Sequence, residues 1–244
     1  MDELIYKFKD IITKSNQIVA FTGAGLSSES GIPTYRGVGG LWTKYDPSKC
    51  ANIDYFKHNP SLYWNFFKDV RYPAISKARP NPAHYYLVDL EKQGKLKCVI
   101  TQNIDGLHQM AGQSNVIELH GNTRKIVCIN CRQVYSMDEI YRRLDKVLPP
   151  KCNCGGILKP DVVFFGESLP TRAIIDAEKA AKNCDTFLVL GSSLVVYPAA
   201  QIPIIAKENG AILVIVNMDT TPLDRVADLV IHKPASHVLS AIKK

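Results

Sequence analysis

A chain of 244 residues, 46% apolar and 22% charged, has the ordinary globular balance and is long enough for one large domain with inserts. Its longest apolar run, Ala211–Val216, is far short of the roughly 20 residues that a membrane helix needs, and the acidic, then amphipathic start Met1–Lys7 is no secretory signal. A reducing, cytoplasmic setting follows, so the seven cysteines are not read as disulfides; the net charge of +7 is scattered without a block of five or six and reads as a basic face rather than a nucleic-acid site.

The first strand expected is 17–21, whose apolar, β-branched core Ile18-Val19-Ala20-Phe21 suits a parallel strand covered on both faces. It stops on Gly23-Ala24-Gly25. Without a Cβ, Gly23 and Gly25 let a pyrophosphate approach the backbone N–H groups. The usual dinucleotide fingerprint needs a third glycine at position 28, where Ser28 stands, and no acidic residue ends a second strand about 20 residues on. The turn is therefore a dinucleotide site of a different kind. Residues 37–80 hold many aromatics, among them Trp42, Tyr45, Tyr63, Trp64, Phe66 and Phe67, with no strand pattern, and read as a helical insert. Asn81 and Pro82 start a helix that Gly94 closes before a strand at 97–101. A strand at 115–119 follows. Residues 124–158 carry Cys128-x-x-Cys131 and, after 20 residues, Cys152-x-Cys154. Two paired knuckles can close a tetrahedral zinc site with no position left for water, so the zinc is structural. The segment has little apolar content, and metal can supply about 10–16 kcal/mol to such modules. Helices at 172–183 and 199–209 then alternate with strands at 186–190, 211–216 and 228–231. The fold class is α/β, a doubly wound parallel sheet with a small zinc-binding module and a helical insert. Cys50, Cys98 and Cys184 are isolated and read as small packing side chains.

The stretch Thr101-Gln102-Asn103-Ile104-Asp105-Gly106-Leu107-His108 begins where a strand ends, and ligands of open α/β sheets bind there. Its Gln, Asn and Asp can bond a carboxamide and ribose hydroxyls. His120 also sits at a strand end, where a base near neutral pKa is useful. His108 reads as structural, and His58, His84, His232 and His237 as surface or structural.

In order along nearly the whole chain, Gly-Ala-Gly with Pro33-Thr34-Tyr35-Arg36-Gly37, Gln102–His108, Leu119-His120-Gly121-Asn122, the paired cysteines, Pro160–Glu167, Gly191-Ser192-Ser193 and Asn217-Met218-Asp219 resemble the motifs of the sirtuin family, the NAD-consuming protein deacylases. In that family the second cysteine pair often has two intervening residues rather than one. The resemblance implies one Rossmann-like catalytic domain built from 1–36, 81–123 and 159–244, with inserts at 37–80 and 124–158. It implies an NAD-dependent protein-lysine deacetylase that releases nicotinamide and O-acetyl-ADP-ribose, with one zinc per chain. By resemblance His120 is the general base for a ribose hydroxyl, and Asn103 and Asp105 are catalytic beside it and bind the cofactor at its nicotinamide and ribose end. Gly23, Ala24, Gly25, Ser28, Tyr35, Arg36, Trp42, Gln102 and Ile104 match cofactor positions around the phosphates and nicotinamide ribose. Gly191, Ser192, Ser193, Asn217, Met218, Asp219 and Ala235 match the adenosine side. Val163, Phe165, Gly166 and Val196 match the peptide cleft, where substrate adds as a β-strand. The implied partners are acetyl-lysine proteins or peptides, with DNA- or RNA-associated basic proteins among them. Two other activities remain open: ADP-ribosyl transfer, and a non-catalytic zinc- and nucleotide-binding module. Family members that remove succinyl or malonyl groups carry a Tyr-x-x-Arg pair in the insert. The matching positions are Phe67 and Val70, and Arg71, one residue on, lies about 100° round a helix. An apolar acyl pocket with a preference for acetyl is the expectation.

Overall fold

The computed structural model describes residues 3–243. Among the described residues, nine strands form two sheets: β1 (Ile18–Thr22), β2 (Leu96–Thr101), β3 (Val116–Glu118), β4 (Gly121–Cys128), β5 (Val134–Ser136), β6 (Leu158–Val162), β7 (Thr186–Leu190), β8 (Ile212–Val216) and β9 (Leu229–Ile231). The larger sheet has the order β3-β2-β1-β7-β8-β9 and is parallel throughout. Its order reverses between β1 and β7. All six strands fall within two residues of the runs expected from sequence, because strands buried on both faces are continuous apolar runs.

The alternation of side chains divides each run between two cores. Ile18 and Ala20 of β1, Leu188 and Leu190 of β7, and Val214 and Val216 of β8 face one layer, which includes residues of the helices Glu3–Lys14, Pro82–Lys92 and Ala235–Lys243. Val19, Phe21, Phe187, Val189, Leu213 and Ile215 face the other, against the helices Thr171–Lys182 and Ile202–Glu208. The helix after Asn81 starts as expected: the Asn81 side chain accepts from the Ala83 and His84 amides, and His84 answers with a capping box. The helix expected over 199–209 is instead a short 3₁₀ turn, Ala199–Gln201, followed by Ile202–Glu208 with Pro203 near its start.

The smaller sheet, antiparallel with the order β5-β4-β6, has no counterpart among the expected strands. Its strands hide in a polar sequence: Arg124 and Lys125 of β4 are exposed, and β6 contains Lys159 and Pro160. Only half of each strand carries an apolar signal. Strand β6 ends at Val162, so Val163-Phe164-Phe165 lies beyond it rather than within a buried strand.

The helical insert and the cysteine segment share one core. Phe56, Tyr63, Trp64 and Phe67 pack with Ile126, Ile140, Leu144 and Leu158. The Trp64 indole N–H donates to the Leu158 carbonyl at 2.9 Å, and Tyr72 stacks on Tyr141. Within the insert, the helix Pro60–Phe66 runs through a π turn, Phe67–Arg71, into Tyr72–Lys77. The Tyr72 amide bonds the Phe67 carbonyl five residues back, which marks one extra residue in the turn.

Candidate active site

The carboxyl ends of β1 and β7 meet at the reversal of strand order, the crevice where open α/β sheets bind ligands. The turns that follow them, Gly23–Gly25 and Gly191–Ser193, lie back to back. A Cβ on Gly23 would sit 2.6 Å from the Gly191 carbonyl oxygen, and one on Gly191 would sit 2.3 Å from the Leu26 nitrogen. Gly191 also has φ +65°, which disfavours any side chain. The amides of Gly23 and Gly25 donate to the carbonyls of Leu190 and Gly191. The need for glycine at 23 and 25 is thus close packing of two turns, not the open approach of a pyrophosphate to those amides expected from sequence. Ser28, at the place of a third glycine, bonds its hydroxyl to the Gly25 carbonyl.

At the end of β2, the Gln102 side chain donates to the Ser192 hydroxyl at 2.8 Å and so ties β2 to the turn after β7. The Asn103 amide group donates to the Gly23 carbonyl and the Ser27 hydroxyl, and its backbone N–H to the Thr101 hydroxyl. Thr22 donates to Thr101 and accepts from His108 Nε2. His108 is fully buried beside the fully buried His84, ring centroids 4.9 Å apart, in keeping with structural roles for both. Asp105 accepts from the Ser27 hydroxyl at 2.8 Å and the Leu107 amide at 2.9 Å. Burial pushes its carboxyl up, against the pull of those two bonds and of Arg71.

His120 donates from Nδ1 to the Gln102 carbonyl at 3.0 Å, because a carbonyl can only accept. Its Nε2 is therefore the basic nitrogen of a neutral ring. Burial lowers its pKa below 6.5, opposed by the bond to Gln102. The His120 carbonyl accepts from Val163, which fixes the segment after β6 beside the histidine. Glu167 and the buried Lys159 brace that segment: they pair at 2.9 Å, and Glu167 also accepts from the Phe164 amide.

One cleft of about 1080 Å³ gathers these groups. Its walls include His120, Gln102, Asn103 and Ile104; Gly23, Ala24, Gly25, Ser28, Tyr35, Arg36 and Trp42; Gly191, Ser192 and Ser193; Asn217, Met218, Asp219 and Ala235; and Val163, Phe165, Gly166 and Val196. Asp105 does not line it and lies behind Ser27. Sequence reasoning missed Tyr63 and Arg71, which also line the cleft. Arg71 is 4% exposed and donates from Nη2 to the Tyr35 hydroxyl at 2.8 Å. Its place on the cleft wall was not expected from its offset from Val70. The 100° offset from Val70 assumed an unbroken α-helix, and the π turn inserts a residue at that point. Phe67 is buried in the core shared with the cysteine segment, and Val70 packs beside Leu41, Cys50 and Phe66.

Away from the cleft, the sulfurs of Cys128, Cys131, Cys152 and Cys154 lie within 4.8 Å of one another, with two pairs at 3.6 Å. Four sulfurs about 2.3 Å from a tetrahedral zinc stand about 3.8 Å apart, so the donor set fits that ion. The short Cys152-x-Cys154 spacing is no obstacle. The Cys152 amide donates to the Gly156 carbonyl, and a Cβ on Gly156 would press to 2.7 Å from the Cys128 sulfur. The Tyr135 hydroxyl lies 3.0 Å from the Cys152 sulfur, an outer contact that orients the thiolate.

The model of the Sir2 family matches residues 23–198. The chain is 49% identical over 237 residues to an NAD-dependent protein deacetylase of Sulfurisphaera tokodaii, covering 97% of this chain and 93% of that one. It is 48% identical over 244 residues to NAD-dependent protein deacylase 2 of Archaeoglobus fulgidus, covering 99% and 96%. A solved Sir2 enzyme superposes with a TM-score of 0.93 at 48% identity, over 99% of this chain and 97% of the other. A Sir2 variant solved with deacetylated p53 peptide and 3′-O-acetyl-ADP-ribose gives 0.92 at 40%, over 98% and 96%. With likeness of sequence and fold running from end to end, the chain belongs to the Sir2 family.

Proposed function

We propose that the protein is an NAD-dependent protein-lysine deacetylase in which His120 is the general base. The observation that carries the reading is the His120 ring, held neutral with Nε2 free to take a proton, in a cleft continuous with the Gly23 and Gly191 turns and with the Val163–Gly166 segment. Bound NAD supplies the acceptor: nicotinamide leaves, and the acetyl group ends on ADP-ribose as O-acetyl-ADP-ribose. The chain supplies position and charge. Asn103 and Gln102 present amides at the floor, and Gly191, Ser192, Ser193, Asn217, Met218, Asp219 and Ala235 form the adenosine wall. Preorganised polar groups act most strongly where charge develops, and here they are already tied down by Gly23, Ser27 and Ser192. Asp105 is a positioning residue: through Ser27 it sets Asn103. Val163, Phe165, Gly166 and Val196 hold the acetyl-lysine peptide, whose backbone adds beside the extended segment. The four cysteines hold a structural zinc.

On this reading the large domain comprises 1–36, 81–123 and 159–244, with the inserts 37–80 and 124–158 forming the small lobe. Among the described residues no helix is long and apolar enough to cross a membrane, and the proposed setting is the cytoplasm. Basic proteins associated with DNA or RNA are the proposed natural substrates, since deacetylation restores their lysine charge.

Mass spectrometry of an acetyl-lysine peptide, incubated with and without NAD, tests the activity. The expected products are free lysine peptide, nicotinamide and O-acetyl-ADP-ribose. A protein carrying ADP-ribose with the acetyl group intact would instead mean ADP-ribosyl transfer.

A further inference from the structure

The turn that aims the polar groups of the cleft hangs on one hydroxyl. The Thr101 side chain accepts from the Asn103 backbone N–H at 3.0 Å, a bond across two residues that bends the chain as it leaves β2. Gln102 stands in the middle of the bend, and its carbonyl is the group that selects the His120 tautomer. Asn103 stands at its end, with its carboxamide on Gly23 and Ser27. One short turn therefore places both the orienting partner of the base and the amide on the cleft wall.

That hydroxyl is itself held from behind. Thr22, its register partner on β1, donates to it at 2.8 Å. With its hydrogen given to Thr101, the Thr22 hydroxyl can only accept, so His108 Nε2, 3.0 Å away, carries a hydrogen and donates. Burial, with His84 beside it, holds the His108 pKa well below 6.5, and the ring is neutral with Nδ1 bare. The bonds thus run in one direction, from His108 to Thr22 to Thr101. In the other tautomer Thr22 would give its hydrogen to His108, and Thr101 would lose its donor. All three side chains are buried, and none of them lines the cleft.

Packing alone does not call for an imidazole here. Among the described residues the His108 side chain makes one hydrogen bond, to Thr22, and its Nδ1 has no partner. An unpaired buried nitrogen costs stability that an apolar side chain would not. What the ring provides in return is the donor at the head of the chain.

We propose that His108 is a positioning residue for deacylation: through the Thr22 and Thr101 hydroxyls it holds the Thr101–Asn103 turn, and with it the Gln102 carbonyl and the Asn103 carboxamide, in the productive geometry. The inference rests on the deacylase reading above. The chain carries no proton to the reaction and acts by fixing position. Asp105 and Ser27 hold Asn103 from its side chain, and His108 holds it from its backbone.

The test compares His108→Leu, Thr22→Val and Thr101→Val with Thr22→Ser and Thr101→Ser, on an acetyl-lysine peptide with saturating NAD. Valine keeps the shape of threonine without the hydroxyl, and serine keeps the hydroxyl without the methyl. The leucine and valine variants are expected to lose about tenfold or more in kcat, and the serine variants to keep most of it. Peptide KM should stay near that of the wild type, because the Val163–Gly166 segment is untouched. The acid limb of kcat/KM, which follows His120, should move to lower pH, since the Gln102 bond raises that pKa. The double variant His108→Leu, Thr101→Val should be no slower than the worse single one, because both break the same chain. Should His108→Leu fail to fold, the threonine variants decide. Valine and serine variants that slow the enzyme equally, an acid limb that stays in place, or wild-type kcat in His108→Leu would overturn the proposal and leave the deacylase reading intact. No NAD-dependent turnover by the wild type would defeat that reading and the proposal with it.

Discussion

Single residues carry most of the chemistry, and their burial fixes their protonation. His120 is neutral at pH 7 because burial lowers its pKa, and the Gln102 carbonyl selects the tautomer with a basic Nε2. His120→Ala is expected to slow deacetylation by about 10²–10⁴-fold while NAD still binds, as measured by kcat against a calorimetric NAD affinity. Near wild-type turnover would remove His120 from its role. The buried His84 bears on stability instead. Burial alone pushes its pKa down to about 4 from 6.5. A folded value below the unfolded one means that the unfolded chain binds the extra proton. Stability is then full above pH 6.5 and falls as the pH drops toward 4, by about 3 kcal/mol at pH 4. Denaturant unfolding at pH 7 and pH 4 should therefore show the wild type losing about that much more than His84→Gln; equal losses would contradict the assignment. The comparison cancels any acid release of zinc, which both proteins share.

Elements are set by local rules wherever one segment can satisfy itself. The Asn81 cap with Pro82 was legible because the capping groups are sequence neighbours. The π turn at Phe67–Arg71 was not, because it carries no distinctive residue pattern, and it changes which side chains face the cleft. The cysteine pairs are legible as a set because zinc ligands come in short knuckles, and the structure brings all four sulfurs within bonding reach of one ion. Replacing Cys152 with Ala is expected to lower the bound zinc from one per chain to none and to unfold the cysteine segment, read by metal analysis and circular dichroism. Pure wild-type protein with an intact fold and no zinc would sink the assignment.

At the scale of the molecule, one core is a joint product of two distant inserts. Trp64 of one insert packs on, and bonds to, Leu158 at the end of the other. Removing zinc with a chelator should therefore loosen the helices between 53 and 72 along with the cysteine segment, although none of those residues is a ligand. Hydrogen exchange is expected to rise in both regions while β1, β7 and β8, buried in separate cores, keep their protection. Exchange confined to 124–158 would show that the two inserts are stable independently.

The sequence by itself determined the parallel sheet, since strands covered on both faces must be apolar along their length, and Ile18–Phe21, Phe187–Leu190 and Leu213–Val216 are. It determined the cysteine cluster, the strand-end placement of His120 and Asn103, and the family, because these signals lie within short stretches of chain. Only the tertiary structure decided how the pieces meet. Gly23 and Gly25 proved to lie so close to Gly191 that a Cβ on either would come within 3 Å of it, Asp105 stood behind Ser27 rather than on the cleft, and Arg71 turned into the wall through a π turn. Each of these depends on what lies opposite a residue in space, and a chain read in order says which residues are adjacent in sequence but not which side chains a crossover brings together.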